Sequence, residues 1–102
     1  MIHVIATISL AEGQRERFLK ALHKNILRVQ AEDGCIEYGS AVDIDAGLEV
    51  QKPVRDNVVT VVEKWESLDA LMAHLSAPHM LEYRKRVGGL VVGVELQVLE
   101  PA

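Results

Sequence analysis

The sequence predicts an α+β domain of the ferredoxin-like type, with strands and helical units in the order β-α-β-β-α-β. Three observations carry this expectation. Apolar residues alternate with a period of two over 2–10, 58–65 and 90–99, the signature of half-buried strands. The pattern changes to a helical period after Gly13 and again after Trp65. Proline and glycine then punctuate the second helical unit, at Pro78 and at Gly88-Gly89. With 102 residues, a single domain over 1–102 is expected.

Taken in order, residues 2–10 form the first strand. Val4, Ala6, Ile8 and Leu10 point one way, and His3, Ile5, Thr7 and Ser9 the other. A turn at Ala11 to Gly13 leads into a helix that runs to about Glu32. Its apolar stripe is Phe18, Leu22, Ile26 and Val29, widened by Leu19 and Leu27. Asp33-Gly34 ends it, because glycine adopts the left-handed conformation without a Cβ clash. Residues 35–42 read as the second strand. Residues 47–54 are ambiguous: Leu48 and Val50 suit a strand, whereas Pro53 suits an edge or a loop. Asp56-Asn57 is a turn.

Residues 58–65 are the most β-branched stretch and predict a central third strand, with Val59, Val61, Glu63 and Trp65 on one face. Ser67 suits the cap of a second helix, whose buried stripe is read as Leu68, Leu71, Met72 and Leu75. Pro78 fits the first turn of a third helical segment that carries Met80, Tyr83 and Val87 on one ridge. Gly88-Gly89 stops it, and residues 90–99 are the last strand.

Composition excludes several functions. The net charge is −4, so there is no basic footprint for nucleic acid or an anionic membrane. Lys20, Lys24 and Arg28 recur at helical spacing and read as a solvated stripe. Cys35 is the single cysteine, which removes any intrachain disulfide and suits a reducing compartment. The opening MIHVIATISL lacks a charged leader region and reads as a strand. No apolar run reaches the roughly 20 residues of a membrane span. A cytoplasmic protein without membrane or nucleic-acid partners is expected. Apolar residues on both faces of the first, third and last strands would leave a bare patch opposite the helices. A second copy of the chain covering it predicts a homodimer.

No phosphate loop, dinucleotide fingerprint, zinc-protease motif or nucleophile elbow is present. The candidate residues cluster between Val61 and Tyr83. Glu63 interrupts a valine-rich face, where a carboxylate must be paired, hydrogen-bonded or protonated; it is either a cavity acid or the exposed end of the strand. Trp65 is either a core aromatic or a flat wall for an aromatic ligand. His74 lies about 60° from Leu71 around the second helix, and His79 shares a ridge with Tyr83. Either histidine could act as a base near neutral pH, or be a boundary residue satisfied by backbone or water. A metal site is not expected, since Pro78 separates the two histidines and a third ligand is not evident.

The segments EDGCIEY (32–38), VVEKWESLDALMAHLSAPHM (61–80) and VELQVLEP (94–101) resemble the antibiotic biosynthesis monooxygenase family. Within it they are most similar to the bacterial quinol monooxygenases. The pattern W-E-S-x-x-x-L-x-x-H-L-x-x-P-H-M is the most specific part, and the likeness runs over essentially the whole chain. The resemblance implies a dimeric α+β barrel of ferredoxin-like subunits. It also implies an oxygenase without flavin, haem or metal, acting with O2 on quinols or related electron-rich phenols. Implied roles follow. His74 or His79 is the base, Glu63 relays a proton or orients a histidine, and Trp65, Tyr83, Val61 and Met72 form the pocket for a small aromatic substrate. Polyketide-oxidising relatives carry an asparagine four residues before the pocket tryptophan; Val61 stands there in this chain. The haem-ligating histidine of other relatives would fall near Arg84, which disfavours haem. Relatives that process small phosphorylated carbonyl signalling compounds suggest isomerisation as the alternative activity. A non-catalytic dimer that binds aromatic ligands is the other alternative.

Overall fold

The computed structural model describes residues 1–102 as β1 (Ile2–Leu10), α1 (Arg15–Gln30), β2 (Cys35–Ala41), β3 (Val58–Trp65), α2 (Leu68–Leu75), α3 (Pro78–Val87) and β4 (Val91–Leu99). This is the expected ferredoxin-like order, with the second helical unit split at Pro78. The four strands make one antiparallel sheet in the order β2-β3-β1-β4. Val59, Val61 and Trp65 on β3 and Val4, Ala6 and Ile8 on β1 are buried together with Phe18, Leu22 and Val29 of α1. The period-two rows of the two central strands therefore meet the helical stripe, and this layer is the core. Ser67 caps α2, its hydroxyl accepting from the Ala70 amide at 3.1 Å.

Several expectations need correction. Helix α1 ends at Gln30, so Glu32 lies in the following turn and is free to reach sideways. Leu27 is exposed, and Asn25 is buried on the inner face of α1. Its Nδ2 donates to Met80 Sδ at 3.2 Å, which satisfies a polar group that periodicity alone would place outside. Residues 42–57 contain no strand. That loop is instead tied across its base by Asp43, whose carboxylate accepts from the Arg55 amide and guanidinium at 2.8–3.0 Å. The pair holds the Asp43 carboxyl down to about 2.

The apolar excess of the sheet is not where the alternation put it. Across the β1–β4 ladder Val4 faces Val98, Ala6 faces Leu96 and Ile8 faces Val94. Directly opposed residues share a face, so these three belong to the helix side. They remain exposed because β4 is the outermost strand and the helices do not reach over it. The opposite face is mixed: Ile5, Val58, Val62 and Leu99 stand among Thr7, Thr60, Lys64, Glu95 and Gln97.

One glycine matters for the site. Gly34 has φ +81°, and a Cβ there would lie 2.6 Å from the Ala70 Cβ. Its carbonyl accepts from the Glu66 amide at 2.8 Å. The turn carrying Glu32 is thereby pressed against the start of α2.

Candidate active site

Glu63 reaches the core because β3 alternates and its odd-numbered residues face the helices. Burial of a carboxyl there demands a partner, and Trp65, two residues along the same face, supplies one. The indole Nε1 donates to Glu63 Oε1 at 2.9 Å. Removal from water pushes the Glu63 pKa up, with the Trp65 hydrogen bond opposing and the Glu32 charge adding to the rise.

His74 projects from α2 onto Trp65, ring centroids 4.6 Å apart, with the Tyr38 ring edge-on at 5.5 Å. It is 2% exposed. Its Nδ1 donates to Glu32 Oε2 at 2.8 Å, and the same oxygen accepts from His79 Nε2 at 3.0 Å. A carboxylate oxygen only accepts, so His74 carries its proton on Nδ1. Burial lowers the His74 pKa, and the contact with Glu32 works against that. Neutral imidazole is thus the form that burial favours.

Every side-chain nitrogen or oxygen sealed from solvent has a hydrogen-bond partner. His74 Nε2, Glu63 Oε2 and the Tyr38 and Tyr83 hydroxyls have none, so each opens onto accessible space. That space is a cavity of about 350 Å³ between the sheet and the helices, lined mostly by apolar side chains, with Glu63, His74, Tyr38 and Tyr83 as its polar elements and the exposed Arg84 beside them. The size is at the lower end for small-molecule sites. Burial also raises the Tyr38 and Tyr83 hydroxyl pKa values, which keeps them as neutral donors. The outer wall is formed by Val91, Val94 and Leu96 at the β4 edge. No three His, Cys, Asp or Glu side chains are spaced to enclose a metal ion, and no helix is long and apolar enough to cross a membrane.

A sequence profile described as antibiotic biosynthesis monooxygenase matches residues 1–86. The chain belongs to the antibiotic biosynthesis monooxygenase family. It is 38% identical over 103 aligned positions to the Escherichia coli K12 protein named "Probable quinol monooxygenase YgiN", covering 99% of this chain and 98% of that one. Among solved structures, Rv0793 from Mycobacterium tuberculosis superposes with a TM-score of 0.80 at 29% identity, over 99% of this chain and 94% of that one. PA3566 from Pseudomonas aeruginosa superposes with a TM-score of 0.82 at 24% identity, over 99% and 93% of the two chains.

Within this antibiotic biosynthesis monooxygenase chain the residues singled out in the sequence separate into groups. Val61, Glu63, His74 and Tyr83 share the cavity. Trp65 is fully buried and stands behind it, holding Glu63 and packing on His74, so it does not wall the cavity directly. His79 contacts Glu32 and has 20% of its side chain exposed, away from the cavity lining. Met72 is 58% exposed and is not among the residues that line the cavity. Helix α2 buries Leu71 and His74, and Leu68 and Met72 lie on the far side of Leu71 from His74 and turn outward. Sequence reasoning missed Glu32, Tyr38 and Arg84. Glu32 and Tyr38 lay in plain view in the EDGCIEY segment, but nothing local indicated that a residue 42 positions before His74 would touch it.

Proposed function

We propose that this protein is a cofactor-independent oxygenase or oxidase that uses O2 on quinols or related electron-rich phenols. The observation that supports it is an apolar cavity that offers an unprotonated imidazole nitrogen, a carboxyl oxygen and two phenol hydroxyls as free polar atoms. A hydroquinone carries its own reducing electrons and needs only to lose a phenolic proton to release them. His74 Nε2 accepts that proton. Val61 and Tyr83 hold the ring, and the apolar wall keeps water from the anion. Glu63, whose pKa burial raises, supplies a proton to the reduced oxygen. If one oxygen atom is inserted, quinol and O2 give a hydroxylated quinone and water. If O2 serves only as electron acceptor, they give quinone and hydrogen peroxide.

The relationship to a probable quinol monooxygenase supports the substrate class. A homodimer belongs to the same reading, with the exposed β4 edge, which is also the cavity's outer wall, covered by a second copy. The test is oxygen uptake by metal- and flavin-free protein given reduced naphthoquinones. Turnover well above the spontaneous rate is expected, and uptake indistinguishable from that rate with every quinol tried would overturn the proposal.

Arg84 favours a second reading, an isomerase of small phosphorylated carbonyl compounds, because it places a cation beside the cavity. Such an enzyme would turn over under strictly anaerobic conditions, where an oxygenase stops. A ligand-induced rise in melting temperature without turnover in either assay would instead mark a binding protein.

A further inference from the structure

We infer that Glu32 is the positioning residue of this site: its Oε2 grips His74 Nδ1, turns Nε2 to the cavity as the base, and takes His79 as a second donor, so that His79 acts through Glu32 and not on the substrate. The inference rests on the proposed reading of His74 as the group that takes the substrate proton.

The geometry leaves His74 little alternative. With Glu32 Oε2 at 2.8 Å from Nδ1, the proton sits on Nδ1 and the lone pair on Nε2. The opposite tautomer would set two lone pairs against each other inside the core and would present a donor to the substrate, which cannot accept its proton. The Trp65 indole, tilted over the ring, and the Tyr38 ring, edge-on to it, hold the imidazole in place, but they do not choose between its two nitrogens. Only Glu32 does that, in the way an outer carboxylate orients a histidine in other sites. When Nε2 takes a proton, the imidazolium forms against a carboxylate that is already in place, so little reorganisation is needed.

His79 stands differently. Its Nε2 reaches the same oxygen at 3.0 Å, and its side chain is ten times as exposed as that of His74, 20% against 2%. Outside the cavity lining, it has no path to a bound ring. Its effect is to share the Glu32 oxygen, and a protonated His79 weakens the pull of that carboxylate on His74. The charged and titratable groups around His74 are Glu32 from the α1–β2 turn, His79 and Arg84 from α3, Tyr38 from β2 and Glu63 from β3. Of the carboxylates, only Glu32 touches the ring nitrogen.

Nitrogen-15 NMR of histidine-labelled wild-type protein, without substrate, tests the first half. His74 should show a protonated Nδ1 and a bare Nε2 at pH values above its titration, and an Nε2–H tautomer would overturn the inference. The E32Q variant tests the second half. Loss of the negative charge should lower the His74 titration midpoint and move the acid limb of the quinol pH–rate profile to lower pH. The maximal rate should fall about tenfold or more, within the range of general-base effects, with KM little changed. An unmoved midpoint in folded E32Q would overturn the inference. H79Q should keep turnover within about tenfold of wild type while H74Q loses it to a far greater degree; the reverse order would make His79 the base. The tautomer and the midpoint are read without substrate, so a failure of quinol turnover refutes the oxygenase and leaves the role of Glu32 to be decided on its own.

Discussion

Glu63 keeps a carboxyl group on a strand face otherwise made of valine and tryptophan, and the Trp65 indole N–H makes that tolerable. The residue still has its pKa raised by burial, which gives a signed prediction. A carboxyl whose folded pKa exceeds its unfolded value contributes stability that is fully present below the unfolded pKa, 4.5. That contribution is lost as pH rises through the folded pKa. Glu63→Gln retains an oxygen for the indole and removes the titration. The difference in unfolding free energy, variant minus wild type, should therefore grow in favour of the variant as pH rises from about 4.5, at roughly 1.4 kcal/mol for each pH unit of elevation. Denaturation curves over a pH series measure it, and a pH-independent difference would mean that Glu63 titrates normally. His74 works in the opposite sense. Its pKa is lowered, so it withdraws stability as pH falls below 6.5 toward its folded value, and comparison of the two proteins at each pH cancels that contribution.

At the level of elements, the site depends on the turn between α1 and β2. Gly34 allows both a left-handed backbone and contact with Ala70, and together these bring Glu32 to the two histidines. Gly34→Ala should cost about 2–4 kcal/mol, combining left-handed strain with overpacking against Ala70. Adding Ala70→Gly should recover the packing part and leave the strain. Urea denaturation of the two variants separates the contributions. If Gly34→Ala alone proved neutral, the close approach of the turn to α2 would be wrong. Helix α2 offers a related lesson. Its eight residues carry a stripe that reads as Leu68, Leu71, Met72 and Leu75, yet the side turned inward is centred between Leu71 and His74. A buried histidine with a half-buried carboxylate partner replaces a leucine in that stripe, and hydrophobic periodicity does not register the exchange.

For the whole molecule, the β4 edge is the exposed apolar strip that bears on assembly. Val94, Leu96 and Val98 lie on the helix side of the sheet, beyond the reach of the helices. Two of the three also line the cavity. A partner copy would bury this strip and close the outer wall of the site at once, and would thereby tie assembly to activity. Sedimentation should find the wild-type protein at twice its chain mass of 11.3 kDa. Leu96→Asp should sediment as the monomer, because a dimer would bury an unpaired charge. A monomeric wild type at the concentrations used for turnover would refute the proposed dimer.

The sequence by itself determined the order of elements, the split of the second helical unit and the family. Those follow from local signals: alternation in 58–65, the Ser67 cap, Pro78 at a helix start, and a motif from Trp65 to Met80 whose spacing is written in consecutive residues. It also placed Glu63, His74 and Tyr83 in one neighbourhood, since neighbouring elements β3, α2 and α3 carry them. Only the tertiary structure decided that His74 faces the cavity while His79 does not, that Trp65 supports the site from behind, and that Glu32 joins the two histidines. These facts depend on how the α1–β2 turn packs against α2 and α3, a contact between segments more than 40 residues apart. Residue patterns fix which side of an element is apolar. They carry no record of which distant side chain will meet it there.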